Sequence, residues 1–516
     1  MATRHFANRL PDLVPGAAPS SAAVVPRSTL LASFQETLAA VNAYHGHSPT
    51  VYTGTAGVAF ALWHARRSLQ RGCQQYQPPG AHGGAAAAPA APLAPAQGVN
   101  DIETLPTELP STLLAAALEH GREALAGLKK KGASLSTGPR GASMPDGGAG
   151  VHMTAALVLH DAAVEAAAAA GSGAAGAQGA GTGGGGGGGQ AAEAAAALLA
   201  ERDEHVRSFL DSYPEAMDSE NDEFLYGRAG YLQGAQLLNA AIGPGTIPDE
   251  IIEGVATEML ESGREMAERL RWRRTDTPAP PLFYMWPGRE RGEPYLGAAH
   301  GMMGILFMLL HCGPAILEVE ENRQQLRACL TYVASHEKDA PGCSARGGHY
   351  PTKMAMSPPE PPPPGEAGGA AAKTLVHWCH GAPGAVFLWC KAHEVFGDAE
   401  YLAAARRAGE VVWQLGLLRK GHGLCHGTSG NAYALLALHR ATGGGEAAVW
   451  LHRARQFAGH VSGAEGRSVF DTPDRPLSLF EGRAGVLCLL ADLLADDGGS
   501  HGSRFPAFEL PPPTRA

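Results

Sequence analysis

The chain has 516 residues and a net charge of −10, with 17% charged and 6% aromatic residues. Without basic blocks it is a poor partner for nucleic acid, which needs clustered Lys and Arg. Eight cysteines are too sparse for a disulfide scaffold and point to a reducing compartment.

The N-terminal stretch lacks an apolar run and carries Asp12, so no signal peptide is expected. Leu31 to Ala43 reads as a helix, followed by a Gly-x-x-Gly turn at Gly54 and Gly57. The same turn returns at Gly147 and Gly150, Gly227 and Gly230, and Gly301 and Gly304. It returns again at Gly381 and Gly384, Gly427 and Gly430, and Gly482 and Gly485. Gaps between first glycines are 93, 80, 74, 80, 46 and 55 residues. The first, second and fourth gaps are lengthened by tracts at 78–97, 163–197 and 357–373, rich in Ala, Gly or Pro. Such tracts lack large apolar groups, so they are expected to be disordered inserts. The proline run Pro361 to Pro364 fits a plain linker better than a ligand for an SH3-like domain.

Helices are predicted at Asp249 to Arg271, Met302 to Leu310 and Ala399 to Leu418. After Gly485, Val486, Leu489, Leu490, Leu493 and Leu494 share one helical face. Met302 to Leu310, the most apolar helical stretch, is far short of the roughly 20 residues a bilayer requires. A cytoplasmic chain without a membrane-spanning segment is expected, with peripheral membrane contact left open. Seven units of two helices predict an all-α closed toroid with inner helices lining its axis, one domain over 1–516. The paired glycines are read as structural, because backbones can pack closely where no Cβ intervenes.

Three turns carry reactive side chains beside their glycines. They are YLGAAHG, ending in His300 and Gly301, HWCHGAPG, with Cys379 and His380, and GLCHGTSG, with Cys425 and His426. Two cysteines and a histidine from neighbouring turns of one rim would converge near the axis. A Cys2His set leaves one tetrahedral zinc position open, as catalytic sites do. The remaining cysteines read as small core hydrophobes.

The motifs YLGAAHGMMG, HWCHGAPG, GLCHGTSG, SLFEGRAG, VYTGTAGVA and RFPAFEL resemble the eukaryotic LanC-like proteins, relatives of the bacterial lanthipeptide cyclases. The resemblance covers nearly the whole chain outside the three tracts. It implies a double-layered α/α toroid with one zinc at its centre, held by Cys379, Cys425 and His426, and with His300 as active-site histidine. It places Lys420 on a lysine that contacts glutathione, and Glu223 where the bacterial cyclases have a catalytic aspartate. Where animal members carry a glutathione-holding arginine, this chain has Asp471. Arg475 or Arg483 is the nearest substitute, with Arg475 taken as substrate-binding. The implied reaction adds the glutathione thiol to dehydroalanine or dehydrobutyrine residues of peptides or proteins, with His300 protonating the enolate. Two alternatives stand beside it, a zinc- and glutathione-binding signalling adaptor and, ranked last, a carbohydrate-active toroid using Glu223 and Glu481.

Overall fold

The computed structural model describes residues 4–13, 24–46, 48–75, 106, 108–131, 142–176, 186–270, 279–287, 292–354, 374–495 and 502–511. Between the glycine turns, stretches dominated by Ala, Leu and Glu form helices, as their propensities favour. An outer helix and an inner helix alternate along the chain. They are α1 (Arg27–Asn42) and α2 (Thr55–Gln75), α3 (Leu109–Lys131) and α4 (Gly148–Gly176), and α5 (Gly186–Leu210) and α6 (Arg228–Ala241). The series continues with α7 (Asp249–Leu270) and α8 (Met302–Leu309), α9 (Glu320–Ala334) and α10 (Ala382–Phe396), and α11 (Ala399–Leu415) and α12 (Thr428–Ala441). It ends with α13 (Gly444–Ser462) and α14 (Arg483–Leu494).

Each inner helix packs against the next, and α14 packs back on α2, so the inner layer closes into a ring. Inner helices are apolar all round: every residue of α8 is buried, and so is nearly all of α12. Outer helices are amphipathic. In α7 the buried set Val255, Ala256, Met259, Leu260 and Gly263 makes one stripe facing inward.

The glycine turns share one geometry. A Cβ on the second glycine of any turn would overlap the carbonyl oxygen of the residue six before it, from Val51 behind Gly57 to Leu479 behind Gly485. Only glycine fits such a close backbone approach. The repeated turns therefore gather at one rim, where backbone hydrogen bonds run from repeat to repeat. Ala299 donates to Cys379 at 3.5 Å, Cys379 to Cys425 at 3.3 Å, and Cys425 to Phe480 at 2.7 Å. Phe480 then donates to Tyr52 at 3.2 Å and Tyr52 to Pro145 at 2.7 Å. Proline has no N–H to pass on. At that gap the Ser143 hydroxyl donates to the Leu225 carbonyl instead.

Two sequence expectations change. The tract at 163–197 is largely helical: α4 runs on to Gly176 and α5 starts at Gly186, with Ala163 and Ala195 buried. Alanine is the strongest helix former, and the neighbouring helix buries its methyl groups in place of larger side chains. Inserts 78–97 and 357–373 lie outside the described residues. The second change concerns apolar length. The stretch Gly148–Gly171 of α4 is long and apolar enough by composition to cross a membrane, with mean hydropathy 1.3. More than half of it, 56%, is buried inside the fold, where it forms inner wall between α2 and α6.

Candidate metal centre and its cavity

Register explains the site. Counting back from the second glycine of each turn, the fifth residue is Tyr52, Pro145, Leu225, Ala299, Cys379, Cys425 or Phe480. The fourth is Thr53, Asp146, Tyr226, His300, His380, His426 or Glu481. The same two positions, repeated seven times around the rim, bring together side chains far apart in sequence. Cys379, Cys425 and His426 offer ligand atoms that all lie within 4.8 Å of one another. They line a cavity of about 740 Å³ together with Tyr52, His300, His377, His380, Arg4, Arg419 and Lys420.

The turn carrying Cys379 has a bridge and a left-handed glycine. Val376 and Gly381 pair as a bridge, His377 donates to the His380 carbonyl at 3.1 Å, and Gly381 sits at φ 108. That left-handed backbone suits only glycine.

The donor set fits zinc. Two thiols and an imidazole are ordinary zinc ligands, and the fourth direction is left to the cavity. Cys379 and Cys425 are only 8% and 2% exposed. Burial, then the neighbouring Cys379, pushes the Cys425 thiol well above its ordinary range. The Cys425 thiol therefore stays protonated by itself, and a divalent cation bound beside it would convert it to thiolate. Burial opposes charge on His426, yet Cys425 beside it raises its pKa.

His300 and Glu223 form the second element. His300 Nδ1 lies 2.8 Å from Glu223 Oε2, with the carboxylate side chain 1% exposed. Oε2 also accepts from the Leu225 amide at 3.0 Å, while Oε1 accepts from Asn221 Nδ2 at 3.3 Å and from the Tyr226 amide. All four acceptor positions of the carboxylate are filled by donors, so Nδ1 carries the proton in this bond. The other nitrogen, Nε2, is left for the cavity. Tyr226, Trp286 and Tyr295 surround the imidazole with ring centroids each 5.8 Å away. His380, 6.1 Å from His300, is held down to about 4 by burial and by the neighbouring histidines.

Lys420 sits exposed at the cavity wall, as the resemblance implies. Arg475 does not line the cavity: its guanidinium donates to the Asp474 carbonyl at 3.0 Å. Arg483 pairs with Asp471 at 3.0 Å and is likewise no part of the lining. The cations that join Lys420 are Arg419 and Arg4. The N-terminal segment brings Arg4 there, because Phe6 donates to Leu417 at 2.7 Å and Arg419 to Arg4 at 3.0 Å. Sequence reasoning missed both arginines, and no local pattern near Arg4 could have placed it. Tyr52 and His380 were within reach, since both occupy the register of the zinc-type residues.

A helical toroid with a Cys2His cluster at its glycine-turn rim is the class that fold and site define. The sequence profile of the family described as lanthionine synthetase C-like protein matches residues 160–510. Glutathione S-transferase LANCL1 of Danio rerio is 35% identical over 314 residues, which is 60% of this chain and 68% of that protein. LanC-like protein GCL1 of Arabidopsis thaliana is 35% identical over 292 residues, 56% of this chain and 58% of that protein. The solved structure of nisin cyclase is 13% identical with a TM-score of 0.50, covering 90% of this chain and 92% of that one, a likeness of fold. The chain belongs to the LanC-like family.

Proposed function

We propose that the chain adds the thiol of glutathione to dehydroalanine or dehydrobutyrine residues of peptides or proteins, using one zinc held by Cys379, Cys425 and His426. The observation that carries this reading is the opening of that cluster into the cavity that also presents His300. A relative named glutathione S-transferase supports the choice of thiol.

Zinc at this cluster would supply the positive charge that keeps an incoming thiol deprotonated at neutral pH. The protein's own residues do the rest. Arg4, Arg419 and Lys420 line one wall and attract the two carboxylates of glutathione. Tyr226, Trp286 and Tyr295 restrict water around His300 and offer flat apolar surface to a peptide. In the addition, sulfur bonds to Cβ, the double-bond pair moves towards the neighbouring carbonyl, and Cα takes a proton. His300 Nε2 first takes the proton the thiol gives up and then delivers it to Cα, so the reaction balances. Glu223 holds Nδ1–H throughout and stabilises the imidazolium form between the two transfers.

The test is turnover of a dehydroalanine peptide with glutathione, followed by mass spectrometry. An adduct formed faster than the background rate, and lost in Cys425→Ala, is the expected result. Glutathione binding without turnover would instead support the signalling-adaptor reading.

A further inference from the structure

Seven helices about 10 Å across, packed in a ring, leave a central bore of roughly 13 Å. Segment 502–511 fills it. Phe505 and Phe508 are 0% and 1% exposed, although they belong to the chain's last described stretch. Phe505 stacks on Trp378 with centroids 5.3 Å apart, and Phe508 meets the same indole edge-on at 5.0 Å. Phe508 also packs edge-on against Phe224 at 5.2 Å, and Phe505 lies 6.3 Å from Phe480. Each of these partners adjoins a rim side chain: Trp378 directly precedes Cys379, Phe224 directly follows Glu223, and Phe480 directly precedes Glu481.

The segment is itself fixed as a tight turn. Glu509 Oε2 accepts the Phe505 amide at 2.7 Å, and the Phe505 carbonyl accepts from Phe508 at 3.2 Å and Glu509 at 3.0 Å. Ala507 is held at φ 59, the only non-glycine residue with positive φ among the described residues. Glu509 also pairs with Arg440 in the last turn of α12, while the first turn of α12 follows His426. The segment thus reaches from the far end of an inner helix to the underside of the rim.

We propose that segment 502–511 is a positioning plug for the metal centre. Resting on the zinc reading above, it holds Cys379 in place through the stack of Phe505 and Phe508 on Trp378.

The test uses the full chain and a chelator-competition measurement of zinc affinity, alongside the melting temperature. Phe505→Ala and Phe508→Ala are expected to weaken zinc roughly 10–100-fold, the range for residues that orient metal ligands. Phe505→Leu restores most of that loss by refilling the volume. Leu114→Ala, a core truncation in outer helix α3, lowers the melting temperature but leaves zinc affinity unchanged. Should Phe505→Ala fail to fold, Glu509→Gln decides, because it loosens the plug without carving the core, and it is expected to weaken zinc several-fold. Wild-type zinc affinity in the folded plug variants overturns the proposal, as does an equal loss in Leu114→Ala. Absence of zinc binding in the wild-type chain removes the metal reading itself, a separate failure.

Discussion

Replacing Glu223 by glutamine tests the His300 assignment more sharply than deleting the histidine, because shape is kept while one acceptor becomes a donor. Two orientations of the new amide are available. With its nitrogen at the Oε1 position it faces two donors, Asn221 Nδ2 and the Tyr226 amide, and both lose their acceptor. With its nitrogen at Oε2 it faces the Leu225 amide and His300 Nδ1. There the histidine can relieve one conflict by moving its proton to Nε2 and accepting at Nδ1. One buried donor, the Leu225 amide, is then left unmet, a cost of about 1–3 kcal/mol against roughly twice that in the other orientation. The second orientation wins, and it fixes the wrong tautomer. His300 can no longer become imidazolium without setting Nδ1–H against an amide donor. Turnover in the glutathione-addition assay is therefore expected to fall about 10²–10⁴-fold, the usual share of general acid catalysis. Zinc content should stay at the wild-type level and the melting temperature should drop modestly. A Glu223→Gln protein that turns over at the wild-type rate would refute the role given to His300.

Cys425→Ala leaves two ligands, so metal analysis of the purified protein should find most of the zinc gone. In Gly430→Ala the new Cβ overlaps the Leu424 carbonyl beside the cysteine, so a clear fall in melting temperature is expected from a thermal scan. Deleting 163–197 removes parts of α4 and α5 and buried alanines, so this deletion should lower the melting temperature rather than pass unnoticed. His152, whose Nδ1 lies 3.1 Å from that of His205, is held at about 4 by burial and then by His205, against 6.5 unfolded. The unfolded chain gains this proton first as pH falls. Full stability is present above pH 6.5 and is lost towards pH 4, by about 3 kcal/mol at one pKa unit per 1.4 kcal/mol. Denaturant titrations should show that acid limb flattened in His152→Gln.

Much of the fold is legible in the sequence. Helices read from apolar spacing end within a few residues of their observed limits: Asp249–Leu270 against Asp249 to Arg271, and Ala399–Leu415 against Ala399 to Leu418. Glycine pairs announced the repeat because a close carbonyl admits no other residue, and that constraint is written in sequence directly. The cluster of Cys379, Cys425 and His426 followed from family motifs and repeat position together. What stayed hidden depends on distance along the chain. Arg4 reaches the cavity through bonds to residues more than 400 positions away. The alanine tract was misjudged because alanine offers little apolar area per residue, while helical propensity and a neighbouring helix are enough to order it.

The architecture also explains how a site of this kind arises from a repeat. The fourth and fifth positions recur in all seven turns, and eight of those fourteen residues line the central cavity. Thiols occupy two adjacent fifth positions, Cys379 and Cys425, whose backbones are hydrogen-bonded to each other at 3.3 Å. Their spacing is therefore set by the rim itself, and a metal need not draw mobile loops together. Histidines fill three consecutive fourth positions, and their environments divide the roles. His426 stands against the thiols, His300 against a saturated carboxylate, and His380 between them, kept neutral by burial. Because Cys379, Cys425 and His426 sit on hydrogen-bonded turns and Glu223 is fully bonded, the proposed addition would need little reorganisation, and preorganised polar groups are worth most under that condition.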